Sequence, residues 1–236
     1  MGDAMQRMGP KLKQVKRRRE GSSITSQASG VRMSGPGVAR RQLLLNTAWK
    51  MLRTSRLAEL SLGEVARRAK VGKGSAYFFY DDVNALCASL KALIDKEFQE
   101  VLRAPLTQPV SSWQEVVRLL YHRGIAFLEN DPAACQLAIG VDASPALKLM
   151  DRANDAVLGR IFDEQISQRF VLPIIPDRPK LFFRALELTD MMLSISMLER
   201  GKITPEYIEE GYRAAIAYLQ IYIPEKLPRK KSEEID

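Results

Sequence analysis

The chain has 236 residues, 46% hydrophobic and 27% charged, enough apolar material for the core of one or two globular domains. Apolar runs such as Met191-Met192-Leu193 stop far short of the roughly 18 residues a membrane span needs, and only two cysteines, Cys87 and Cys135, exclude a disulfide scaffold and suit a reducing, cytoplasmic setting. Thirty-six Lys and Arg against 28 Asp and Glu leave +8, spread as +6 over residues 1–39, +6 over 40–91 and −4 over 92–236, so the front of the chain is expected to meet a polyanion.

Residues 1–36 are rich in Gly, Ser, Lys and Arg and lack helical periodicity, which predicts a disordered basic tail. The run Lys11 to Arg19 fits either a non-specific grip on nucleic acid or a solvated segment. From about Val38 the pattern is helical almost throughout and no strand-like alternation appears. Leu44, Ala48, Met51 and Leu52 form the stripe of a first helix. Ser61 is placed to cap a short second helix, with Glu64 completing a capping box and Val65, Ala66 and Ala69 turned inward. After the break at Lys70 to Gly74, a very short third helix is expected over about Ser75–Tyr80. Asp82 caps a long fourth helix with the stripe Leu86, Leu90, Leu93, Ile94, Phe98 and Leu102, ending before Pro105. Further helices are expected over about 112–130, a short one after Pro132, then 145–170 with Leu149, Met150, Ala153, Val157, Ile161 and Phe162 as its apolar residues. Two final helices are expected over about 180–200 and 205–222, and a charged, frayed tail over 225–236. The fold class is therefore all-α.

Two short helices joined by a tight turn cannot bury their own apolar faces, and need the first and fourth helices to complete a core. Outward they offer Lys73, Gly74, Ser75, Tyr77, Phe78 and Phe79. Small residues let a helix backbone approach DNA, Lys73 can reach a base edge or phosphate, and hydroxyls can fix register on phosphate. Ser61 sets helix N-terminal amides beside a backbone phosphate.

These stretches carry a resemblance. Leu44-Leu45-Asn46-Thr47-Ala48, Leu60 to Ala69, Val71 to Tyr80 and Asn84-Ala85-Leu86 resemble the N-terminal DNA-binding domain of the TetR (tetracycline repressor) family of bacterial regulators. The likeness covers about 50 residues, and the rear of the chain matches only in being helical and of suitable length. Three positions depart from the pattern: Lys70 stands where a turn glycine is usual, Arg56 replaces another glycine, and Val83 replaces a lysine that often contacts phosphate, behind Asp81 and Asp82. Lys70 is expected to adopt a left-handed conformation at some cost.

The resemblance implies a helix-turn-helix DNA-binding domain over 37–91 and a helical ligand-binding and dimerisation domain over 92–224. It implies a homodimer on a double-stranded operator, usually a repressor, released by a small hydrophobic or amphipathic effector. The dimer would form through the helices at 180–200 and 205–222. Apolar residues on several sides of the former (Leu181, Ala185, Leu188, Met192, Ile195; also Phe182, Phe183, Leu186, Leu193, Met197) fit either that interface or an internal core helix. Candidate pocket residues are Phe98, Leu102, Phe127, Met150, Val157 and Phe162. An effector-independent architectural or partner-binding protein of the same fold is the alternative.

His122, the sole histidine, has no ligand-spaced partner, and no nucleophile–base pair appears. Gly72 to Ser75 lacks the spacing of a phosphate loop. The expectation is a non-enzymatic protein with no cofactor, no metal and no membrane partner.

Overall fold

The computed structural model of the chain describes residues 35–140 and 142–230. The expected N-terminal tail therefore lies outside the described residues except for Gly35 and Pro36, which open the first helix, α1 (Gly35–Leu52). Leu44, Ala48 and Leu52 of α1 are completely buried. They pack with α2 (Leu62–Arg68), α3 (Lys73–Phe79) and the start of α4 (Val83–Arg103), whose Val65, Ala76, Leu86 and Leu90 are equally inaccessible.

Local chemistry sets these boundaries. The Ser61 hydroxyl accepts the Glu64 amide at 3.3 Å, while the Glu64 carboxylate is drawn to Arg67 and Arg68 instead of completing the capping box. The end of α2 is a Schellman closure: the Lys70 amide donates to the Arg67 carbonyl at 3.2 Å and that of Val71 to Ala66 at 3.0 Å. That geometry places Lys70 at φ 54°, the left-handed conformation its position demands. α3 starts at Lys73 and not at Ser75, because the amide of Ala76 already reaches the Gly72 carbonyl at 3.1 Å. Arg56 has an ordinary extended backbone, so no glycine is needed there. The Asp82 carboxylate caps α4, accepting the Ala85 amide at 2.8 Å.

The rear consists of α4 together with α5 (Trp113–Asn130), α6 (Pro132–Ala138), α7 (Pro145–Ser167), α8 (Arg178–Arg200) and α9 (Pro205–Gln220). Ser112, Asp131 and Ser144 cap α5, α6 and α7 with their side chains, and α8 stops at Gly201 in a left-handed conformation. α8 packs between α7 and α9, and α7 packs against α4. Two glycines permit this closeness: a Cβ on Gly159 would lie 2.6 Å from the Pro179 carbonyl oxygen, and one on Gly211 would lie 2.7 Å from the Tyr121 hydroxyl. The sequence boundary at 91–92 falls inside α4, which runs unbroken through it.

Two expectations are corrected. α7 turns Leu147, Asp155, Leu158 and Phe162 inward, whereas Leu149 is 68% exposed. The described part of the C-terminal stretch is fastened and not frayed: Val171 donates to the Pro228 carbonyl at 2.8 Å and Lys230 to Arg169 at 2.9 Å. The Trp113 indole also donates to the Pro224 carbonyl at 2.9 Å. Residues 231–236 lie outside the described residues. Among the described residues no helix is long and apolar enough to cross a membrane.

Candidate functional site

Two places in the fold bring the predicted site residues together. The first is the outer face of α3. Lys73 and Gly74 are exposed, Tyr77 is 47% exposed and Phe78 73%. The Lys73 ammonium lies 5.9 Å from the Tyr77 ring centroid, and nothing lies within 4 Å of a Cβ built on Gly74. Ser75 is half-buried, and Phe79 packs against the core while meeting Phe78 edge-on at 5.4 Å. The outward set is therefore Lys73, Gly74, Tyr77 and Phe78, with Ser61 exposed at the start of α2. Phe78 is the most exposed aromatic ring on this face.

Charge around this face is partly engaged. Arg67 and Arg68 both bond Glu64, at 2.7 and 2.8 Å. Those bonds hold the Glu64 carboxyl down at about 2. Arg41 donates to the Tyr80 hydroxyl at 3.3 Å and stands over its ring. Val83 is half-buried against the core, so this position contributes packing and no charge.

The second place is a small cavity in the rear, of about 50 Å³, between α4, α5, α6, α7 and α8. Phe98, Leu102, Phe127 and Phe162 line it, with the Phe98 and Phe127 rings 5.1 Å apart. Met150 and Val157 do not line it: they sit on α7 one step round from its inward face and are half-buried at its flank.

One end of the cavity is ionisable. Lys91, completely buried, pairs with Asp95 and with Asp151, the latter at 2.8 Å. Burial alone would lower its ammonium pKa, but Asp151 and Asp95 outweigh that and raise it. Asp151, Asp155 and Asp190 each bring an oxygen within 4.8 Å of the others, a grouping that could hold a metal ion. Enclosure, then the repulsion of Asp151, pushes Asp190 up to about 7. Enclosure and the Asp190 charge drive Asp155 well above the usual carboxylate range.

None of these charged residues was among the sequence candidates. A signal existed: Cys87-Lys91-Ile94-Phe98, Asp151-Asp155-Leu158-Phe162 and Leu186-Asp190-Leu193-Met197 each put a charge on an inward helical stripe. His122 sits on the surface, 3.9 Å from Glu209. Cys87 and Cys135 are unpaired, and burial pushes both thiols up to about 11.

α6 joins the two places. The Gln136 side chain donates to the carbonyls of Leu52 at 2.7 Å and Ser55 at 3.0 Å, and accepts the Leu57 amide at 2.7 Å. The Trp49 indole donates to Asp131, the cap of α6, at 2.7 Å, and Arg56 pairs with Asp142 at 3.0 Å. Ala138 and Ile139, just after Gln136 at the C-terminal end of α6, line the cavity.

On the outside, Leu188, Met191 and Leu198 of α8 are exposed, with half-buried Ile195 on the same line. Ile221 and Tyr222, just past α9, are exposed too. Leu181, Phe182, Ala185 and Leu193 are instead buried in the chain's own core.

Residues 111–223 match a protein family described as the Tetracyclin repressor-like, C-terminal domain. Among solved structures, the chain is similar to a TetR-family transcriptional regulator from Streptomyces coelicolor, at 18% identity and a TM-score of 0.59, over 78% of this chain and 99% of that one. A TetR transcriptional regulator from Rhodococcus sp. RHA1 aligns at 18% identity and 0.58, over 77% of this chain and 96% of that one. A regulatory protein TetR from Rhodobacter sphaeroides aligns at 15% and 0.50, over 76% and 98%. At these identities the likeness is one of fold. No curated protein sequence matches the chain.

Proposed function

The chain belongs to the TetR family of transcriptional regulators by its fold and by the domain over residues 111–223, and from that premise we propose that it is a homodimeric repressor released from its operator by a small apolar or amphipathic effector. The observation that carries the reading is the exposed face of α3, where Lys73, Gly74, Tyr77 and Phe78 project from a two-helix unit whose own core is closed by α1 and α4. Such a face enters a major groove, with Lys73 and Tyr77 reaching base edges or phosphate. The outward apolar line on α8 and the exposed end of α9 support pairing of two copies, which would set two α3 helices on half-sites one helical turn apart.

Release follows from the connection between cavity and head. A ligand among Phe98, Phe127 and Phe162 presses on the end of α6, and Gln136 carries any shift of α6 to the C-terminus of α1. The ligand acts by favouring one of two head spacings, so its leverage equals its difference in affinity for the two.

The test is a selection of genomic fragments by the purified full chain, followed by footprinting. A near-palindromic site is expected, with affinity falling steeply as salt rises. Lys73→Ala with Tyr77→Ala should weaken specific binding by at least about tenfold. Specific binding retained by that double variant overturns the assignment of α3.

A further inference from the structure

We propose that the groove between α1 and the C-terminal end of α2 is a second contact for the DNA backbone, in which Lys50 and Lys70 hold phosphates beside those met by α3. This rests on reading α3 as the DNA-reading helix, and it extends the contact surface beyond that helix.

The chemistry of the groove carries the argument. It has a volume of about 650 Å³, and its wall includes Leu43, Thr47 and Lys50 of α1 with Arg68, Ala69 and Lys70. Three cations and a hydroxyl line it, and among the described residues no carboxylate does. Lys50 and Lys70 are both exposed. The ion pairs of this part of the chain engage Arg53, Arg56, Arg67 and Arg68, and among the described residues neither lysine enters one. Arg68 gives only its Nε to Glu64, at 2.8 Å, which leaves its terminal nitrogens without a partner among the described residues. Cations gathered round one groove repel one another, and a polyanion relieves that repulsion.

The backbone at Lys70 is an independent sign. Its φ of 54° lies in the left-handed region, which glycine enters without steric cost. The bonds that close α2 come from the backbone amides of Lys70 and Val71 and need no lysine side chain. A non-glycine residue held in that region persists where its surroundings or its use demand it.

Position selects DNA as the occupant. Lys70 stands three residues before Lys73, the first residue of α3, so their Cα atoms are at most about 11 Å apart. The groove therefore continues the α3 face, and a strand held by Lys73 comes within reach of Lys70 and then Lys50. The start of α4 offers no such hold, because Asp81, Asp82 and Val83 stand there.

The experiment compares the full chain with its Lys50→Ala, Lys70→Gly double variant, on the selected operator and on random duplex, over a salt series. Alanine suits an exposed helical site and glycine a left-handed turn, so the variant keeps its fold. Affinity for both duplexes should fall alike, by about tenfold or more at low salt, with the preference for the operator preserved. The slope of log affinity against log salt should fall by about two or more, because each lost phosphate contact removes about 0.9 and a dimer carries the groove twice. Lys70→Gly alone should raise the urea midpoint while weakening DNA binding. A lysine kept only to complement the end of α2 would give the reverse: lower stability and unchanged DNA binding. Unchanged affinity and slope in the double variant overturn the inference and leave α3 as the reading helix. Loss of binding to polyglutamate with DNA binding unchanged overturns it in favour of an acidic protein segment. A wild-type chain that binds neither duplex overturns both this inference and the assignment of α3.

Discussion

Asp190 occupies an inward position of α8, on the line Leu186-Asp190-Leu193-Met197, where an aliphatic side chain would be ordinary. Its carboxyl is displaced from 3.8 up to about 7, by enclosure first and by Asp151 second. Between those two pH values the folded chain holds a proton that the unfolded chain releases. The contribution of this group to stability is therefore fully present below about 3.8 and lost as pH rises through about 7. Asp155 is displaced in the same sense. Urea unfolding should give a lower midpoint at pH 8 than at pH 5, and Asp190→Asn should shrink that difference by stabilising the protein mainly at the higher pH. An unchanged pH slope in the variant would rule out the assignment. Lys70 is a second residue whose place is set by its surroundings, since a side chain in the left-handed region costs roughly 1 kcal/mol where glycine costs nothing.

At the scale of elements, the proposed release route runs through α6. This helix has seven residues and bonds the end of α1 through Gln136, two residues before Ala138, which lines the cavity. Gln136→Ala removes three hydrogen bonds and leaves the Leu52 and Ser55 carbonyls and the Leu57 amide without their partner. Stability should fall by about 1–3 kcal/mol in denaturant unfolding. DNA binding should survive, because the α3 face is untouched, but ligand binding should no longer shift it. A full ligand response in a folded Gln136→Ala protein would show that the signal takes another route. Gln136 itself was not a sequence candidate, because a lone glutamine on a short helix has no periodic or motif signal. Its meaning comes from the carbonyls brought to it by α1.

At the scale of the whole molecule, the question is what covers the outer side of α8 and α9. Leu188, Met191 and Leu198 form an exposed line that a monomer gains nothing by carrying. If the proposed dimer forms through this line, Leu188→Glu with Leu198→Glu should leave the chain monomeric in sedimentation experiments with its fold intact by circular dichroism. Operator affinity should drop by orders of magnitude, because one α3 helix then acts alone on one half-site. A variant that remains dimeric places the interface elsewhere. The sequence pattern could not separate this line from the buried one. α8 is apolar all round, and only its packing between α7 and α9 decides that Leu181, Ala185 and Leu193 face inward and Leu188 outward.

The sequence by itself determined the helical elements, the caps at Ser61 and Asp82, the strained turn at Lys70 and the exposure of Lys73, Gly74, Tyr77 and Phe78 on α3. These are local matters, settled by side chains bonding backbone a few residues away and by apolar spacing at the helical period. The tertiary structure decided which face of α7 lines the cavity, and so excluded Met150 and Val157 from it. It also gathered Lys91, Asp151, Asp155 and Asp190 at one end of that cavity from three helices far apart in the chain. One residue along a helix turns a side chain by about 100°, so periodicity with charges in the stripe leaves the facing direction open until neighbouring helices fix it. A charge cluster between helices exists only once they are packed, and no spacing within any one of them encodes it.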